Sequence, residues 1–302
     1  MLFKNEQEFK ELVEATGKQF NLTNAYVEKD YYVTLLLKEL SQKVPGLLFK
    51  GGTSLSKCFH IIDRFSEDID LTLDLEHFTQ GNKRKANKTI IEVCDSLGFK
   101  ILNEAQVINH SHANYNLYQV GYPAIFNSPT IKPYLQVEIV FIQKAYPSVR
   151  VEVGSYIREF IDSKNEEKIR EYNLGEFFVL SQSLERTFID KVFAICDYYL
   201  REVPTRNSRH IYDLSRLLSK IDINDTKIKE LVAQVREDRK RNKTSLSSQD
   251  NININKVLAD IIQTAYFDRD YNETTKVLLI KPCEYKEVIG ALQTIIDSKL
   301  FV

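Results

Sequence analysis

The stretch from Phe49 to Leu73, FKGGTSLSKCFHIIDRFSEDIDLTL, constrains this chain more than any other. Asp68 and Asp70 stand one residue apart in an apolar run, so on a strand both point to one face while Ile69 and Leu71 point to the other. Two like charges side by side repel unless a cation sits between them, and hard carboxylate oxygens suit Mg2+ or Mn2+ better than zinc. Upstream, Gly51 and Gly52 follow Leu47, Leu48 and Phe49, a pattern that predicts a short buried strand, a tight turn and a helix opening at Thr53 or Ser54. A helix N-terminus presents free N–H groups and the positive end of a dipole, which favour phosphate. Metal at the aspartates and phosphates at the turn together describe a nucleoside triphosphate site.

Bulk composition narrows the class without deciding it. At 302 residues the chain is long enough for two domains, expected here at 1–160 and 161–302. Lys+Arg 41 against Asp+Glu 42 leaves a net charge of -1, so any contact with nucleic acid has to come from a local patch. Cys58, Cys94, Cys196 and Cys283 form no C-x-x-C pair and read as buried, reduced thiols. The charged N-terminus does not read as a signal peptide, and no apolar run approaches the ~20 residues a membrane span needs. A cytoplasmic protein with no membrane partner is the expectation.

Periodicity predicts two helices within residues 5–44, then strands at 47–50 and 68–73 around a helix at 54–63. A polar, basic stretch covers 80–88, a helix 89–97, and further strands are expected near 99–102, 116–121 and 134–142. From about Ser181 the pattern is mainly helical. The fold class is α+β, with a small mixed sheet followed by a helical half. The polar segment 240–253 reads as a mobile loop.

Around the aspartates, Arg64 is a candidate for triphosphate oxygens or a plain surface cation, and Ser66 shares the face of Asp68 and Asp70. Two-metal phosphoryl chemistry calls for a third carboxylate from a neighbouring strand. Glu138, the one acidic residue in LQVEIV, is the first candidate for that metal ligand and Glu152 the fallback. In the helical half, Lys191 lies on an apolar helix face between Phe188 and Ile195, where an ammonium needs an anion. Asp213 is the matching anion, either as a structural pair with Lys191 or as its orienting partner at a nucleotide. The pair His110-x-His112 reads as part of a loop.

Gly51-Gly52-Thr53-Ser54-Leu55 followed by Arg64-Phe65-Ser66-Glu67-Asp68-Ile69-Asp70-Leu71 resembles the AbiEii/AbiGii (MenT-like) nucleotidyltransferase toxins. The resemblance extends to Glu28-Lys29-Asp30-Tyr31-Tyr32, Asp190-Lys191-Val192-Phe193-Ala194 and Arg209-His210-Ile211-Tyr212-Asp213-Leu214, over roughly residues 25 to 220. It implies a DNA polymerase beta-like nucleotidyltransferase domain, a helical C-terminal domain closing the active-site cleft, and Mg2+-dependent transfer of a nucleotide from an NTP. The implied acceptor is RNA, often the tRNA 3′ end, and the implied partner an AbiEi-like antitoxin. Asp68, Asp70, Lys191 and Asp213 become the catalytic set, with Gly51, Gly52, Thr53, Ser54, Arg64 and Ser66 near the nucleotide. His210 departs from the acidic residue that many members carry there. Transfer to a small-molecule or protein hydroxyl and non-catalytic nucleotide binding are the competing readings.

Overall fold

The computed structural model describes residues 5–109, 114–129, 131–142, 145–161 and 165–301; His110 and His112 lie outside them. The chain divides into two compact units, Met1–Phe59 with Ser66–Gln182 and His60–Phe65 with Ser183–Val302. The boundary falls after residue 182 rather than 160 because the last strand of the sheet is Phe177–Gln182.

The first unit is built on a seven-stranded mixed sheet, larger than the small one expected. Its strands are β1 (Leu47–Lys50), β2 (Asp68–Leu73), β3 (Lys100–Ile101), β4 (Tyr115–Gly121), β5 (Leu135–Val140), β6 (Ser148–Val153) and β7 (Phe177–Gln182), in the order β3-β4-β5-β2-β1-β7-β6. β2 runs antiparallel to β1 and parallel to β5. One face is apolar: Ile69, Leu71, Leu73, Val137, Ile139, Tyr118 and Val120 are buried in a single core with Phe9, Tyr31, Leu35, Ile90 and Val93. Those last residues come from α1 (Glu6–Phe20), α2 (Asn24–Lys43) and α4 (Gln80–Ser96); α3 (Gly51–Lys57) follows β1.

The helix α2 is buried continuously from Ala25 to Leu37, including the charged triple Glu28-Lys29-Asp30. A buried charge costs several kcal/mol unless it is paired, and each of these is. Glu28 accepts hydrogen bonds from the Ile125 and Phe126 amides, at 2.7 and 3.0 Å. Lys29 pairs with Glu67 and donates to the Lys132 carbonyl at 2.8 Å. Asp30 takes the Lys57 ammonium at 2.5 Å and the Tyr156 amide at 2.9 Å. One turn of helix therefore fixes the end of α3, the entrance to β2, the approach to β5 and the start of α6 (Tyr156–Phe160).

Two segments differ from expectation. Residues 80–88 are the first half of α4, capped by Thr79 and anchored by Asn87, whose side-chain oxygen accepts from Asn116 and Tyr118. The helix predicted to reach residue 63 stops at Lys57: His60 adopts a left-handed backbone, and residues 63–65 pair instead with 278–280 in the second unit.

That second unit is helical, with α8 (Leu184–Leu200), α9 (Arg209–Leu217), α10 (Thr226–Lys240), α11 (Ile254–Gln263) and short helices to the C-terminus. The segment 240–253 is not a free loop. Ser245, Ser247 and Ser248 are buried, and Asp197 accepts from Ser245 Oγ, the Ser247 amide and Arg239. A buried carboxylate gathers the serines that make the sequence look unstructured. All four cysteines are buried free thiols, with Cys58 and Cys94 pushed up to about 12 by burial. Among the described residues no helix is long and apolar enough to cross a membrane.

Replacing Asp30 by Ala leaves Lys57 buried without its counter-ion, and a loss of ~3–5 kcal/mol is expected. Denaturant unfolding of the purified variant measures it; a change below ~1 kcal/mol would mean that the pair is dispensable.

Candidate active site

The register of two parallel strands places the acidic residues together. Asp68 stands opposite Gln136 and Asp70 opposite Glu138, so all four side chains share the sheet face turned away from the apolar core. On the flanking strands, Lys50 of β1 is in register with Asp70, and Leu117 of β4 with Glu138. Glu152, the fallback third carboxylate, is on β6, three strands from β2, which at ~4.8 Å per strand is beyond shared coordination. Glu138 is the neighbour the geometry selects.

Like charges crowd this face. Burial, then the negative charges of Asp70 and Asp68, raise Glu138 above the usual carboxylate range, with a smaller opposing effect from Gln136. Gln136 Nε2 donates to Glu138 Oε1 at 2.8 Å. Tyr115 is raised by burial and by the same three carboxylates. Among the described residues no three His, Cys, Asp or Glu side chains already close into a metal-binding group; protein donors meet some of the oxygens instead, including Lys132 Nζ at 3.4 Å from Asp68 Oδ1. The donor set nonetheless fits a hard divalent cation: three carboxylates on adjacent strands, mutually repelling, with no soft ligand among them.

The glycine turn abuts this set. Gly51 has φ +80°, in the left-handed region, and a Cβ there would lie 1.9 Å from Asp70 Oδ2. Both the backbone and the close approach of the carboxylate require glycine. Thr53 and Ser54 are buried and used internally: Thr53 Oγ1 is 2.9 Å from Ser66 Oγ, tying the turn to the entrance of β2, and Ser54 Oγ donates to the Gly51 carbonyl at 2.9 Å. Gly51 and Gly52 keep partial exposure.

The remaining predicted residues meet in the second unit. Arg64 grips Asp213 with two hydrogen bonds of 2.7 Å, and Lys191 Nζ lies 2.6 Å from Asp213 Oδ2. Asp213 is fully buried. Burial would raise it, but the two cations outweigh that and hold it well below the ordinary carboxylate range. The Lys191–Asp213 pair expected between successive helices is present, and Arg64 completes it as a triad; Arg64 is buried against Asp213, so its reading as a surface cation does not hold.

Sequence reasoning passed over Lys132 and Gln136. Lys132 is visible only as the residue before Pro133, and Gln136 only as the residue two before Glu138 on the same strand face.

The profile of a family described as "Nucleotidyl transferase AbiEii toxin, Type IV TA system" matches residues 35–279. The chain belongs to the AbiEii nucleotidyltransferase toxin family. The AbiEii assignment makes it a nucleotidyltransferase, an enzyme that uses an NTP, and the toxin of a type IV toxin–antitoxin system. The fold is similar to that of MenT4, a nucleotidyltransferase toxin from Mycobacterium tuberculosis H37Rv, with a TM-score of 0.52 over 95% of this chain and 88% of that one, at 15% identity. No curated protein sequence matches the chain.

Gly51→Ala is expected to strain the turn by ~1–2 kcal/mol and to displace the Asp70 carboxylate, so nucleotide transfer falls while the far-ultraviolet circular dichroism spectrum is retained; normal transfer would separate the turn from the site. Asp213→Asn leaves Arg64 and Lys191 buried against a neutral partner and is expected to cost ~3–5 kcal/mol in unfolding experiments. Because folding depresses the Asp213 pKa, the wild type holds its full advantage over this variant above about pH 4. The advantage falls as the pH drops through the folded value.

Proposed function

We propose that this protein transfers a nucleoside monophosphate from an NTP to an RNA hydroxyl, with the tRNA 3′ end as the acceptor, in a reaction that depends on Mg2+ or Mn2+. The observation that carries the proposal is the register of Asp70 with Glu138, with Asp68 beside them and the glycine turn against Asp70. The family assignment supports NTP as donor; the tRNA acceptor rests on the motif resemblance. In the balanced reaction the acceptor oxygen bonds to the α-phosphorus, the bond from that phosphorus to the bridging oxygen breaks, and pyrophosphate leaves.

Asp68, Asp70 and Glu138 are the residues that would hold the divalent ion, which supplies charge neutralisation at the entering and leaving oxygens. Glu138, in register with Asp70, is placed either to complete the metal site or to position the attacking hydroxyl. The glycine turn admits the donor phosphates close to the backbone. Most of the acceleration then comes from positioning and fixed charge. Lys191 and Asp213 belong to the catalytic set by resemblance, and with Arg64 their place in this structure is a buried clamp that fixes residues 60–65, the segment leading directly into Ser66 and β2. The antitoxin is expected to be AbiEi-like, and the toxin to act in the cytoplasm.

Purified protein incubated with each labelled NTP, Mg2+ and total RNA is expected to label an RNA of tRNA size. Asp70→Asn is expected to abolish both labelling and growth arrest with the fold intact. Near-normal labelling by that variant defeats the mechanism, and label appearing only in protein or small molecules replaces the acceptor.

A further inference from the structure

Lys132 is a charged group at this face that the reaction above leaves unused. Its backbone is set from two directions. It precedes Pro133, which biases it to an extended conformation, and its carbonyl accepts from the ammonium of Lys29, whose side chain is 1% exposed. Lys29 also pairs with Glu67, the residue immediately before Asp68. A single buried cation thus ties the approach to β5 to the entrance of β2.

The Lys132 side chain then reaches back over the carboxylates. Nζ lies 3.4 Å from Asp68 Oδ1, 3.9 Å from Glu67 Oε1 and 2.8 Å from Gln136 Oε1, and Gln136 in turn holds Glu138. The ammonium touches one acidic residue of the site and is linked through Gln136 to another, yet its side chain is 34% exposed. The contact satisfies the buried Lys29 ammonium and at the same time fixes the Lys132 backbone, so that the partly exposed Lys132 side chain presents its charge beside Asp68.

Resting on the transfer reaction proposed above, we propose that Lys132 binds a phosphate oxygen on the Asp68 side of the site. Two substrates bring such an oxygen: the donor nucleotide and the phosphodiester backbone of the acceptor. In the sheet order, β5 and Lys132 lie on the other side of β2 from β1 and its glycine turn, so the acceptor backbone is the source the geometry favours. An ammonium contributes there as a point charge, which holds a phosphate without reading sequence.

The test uses the full-length protein with Lys132→Met, Lys132→Gln and Lys132→Arg, and measures Mg2+-dependent binding of each NTP and of unfractionated tRNA. Lys132→Met and Lys132→Gln are expected to weaken tRNA binding about tenfold and to lower its salt slope by roughly one. Lys132→Arg is expected to recover most of the affinity, and melting temperatures to stay near wild type. Weakened NTP binding with unchanged tRNA binding supports the same phosphate contact with the donor as its source. Unchanged affinity for both in folded Met and Gln variants overturns the inference. Asp70→Asn keeps the two proposals apart: if it is inactive while the Lys132 variants bind normally, only the role of Lys132 falls, whereas an active Asp70→Asn removes the reaction on which that role rests.

Discussion

Three consecutive charges buried in one turn of α2 are the constraint on which the first unit depends. None of Glu28, Lys29 and Asp30 is tolerable in an apolar interior by itself. The chain therefore has to bring a pair of amides, a carboxylate with a carbonyl, and an ammonium with a further amide to that turn. Satisfying them draws together stretches far apart in sequence, among them residues 57, 67, 125, 132 and 156. Hydrophobic burial selects the apolar face of the sheet, but it is indifferent to where the connecting segments lie. The buried charges supply that information, because an unpaired partner costs more than a slightly misplaced apolar group.

The second unit repeats this logic with other residues. Asp213 takes two cations, Asp197 gathers an arginine and the serine-rich segment, and Asp270 accepts the amides of residues 206–208 ahead of α9. In each case a carboxylate organises backbone that carries little apolar content. These anions do the work that side-chain packing does elsewhere in the fold.

Much of the architecture was legible because period-two and period-3.6 patterns are local. The Asp68–Leu73 strand, the N-terminal helices, the helix around Lys191 and the α+β class can all be read from alternation and helical spacing. What escaped was non-local. The strand Phe177–Gln182 joins the sheet beside β1 although about 125 residues separate them, and no pattern within Phe-Phe-Val-Leu-Ser-Gln announces that partner. The polar half of α4 and the segment after Lys240 were misread for one reason: their order comes from hydrogen bonds to Asn116, Tyr118 and Asp197, which composition does not reveal. At the candidate site, Asp68, Asp70 and Glu138 stood out as charges in apolar strands, whereas the surrounding Lys132 and Gln136 looked like ordinary surface residues until the register brought them alongside.

The four thiols carry a practical consequence. Each is enclosed by the fold, and burial favours the neutral form that reacts poorly with electrophiles. The native thiols are expected to react slowly with maleimides, so a cysteine installed at a solvent-facing position becomes a selective handle for a dye or spin label. Distances between such handles can then be followed during turnover without first stripping the natural cysteines.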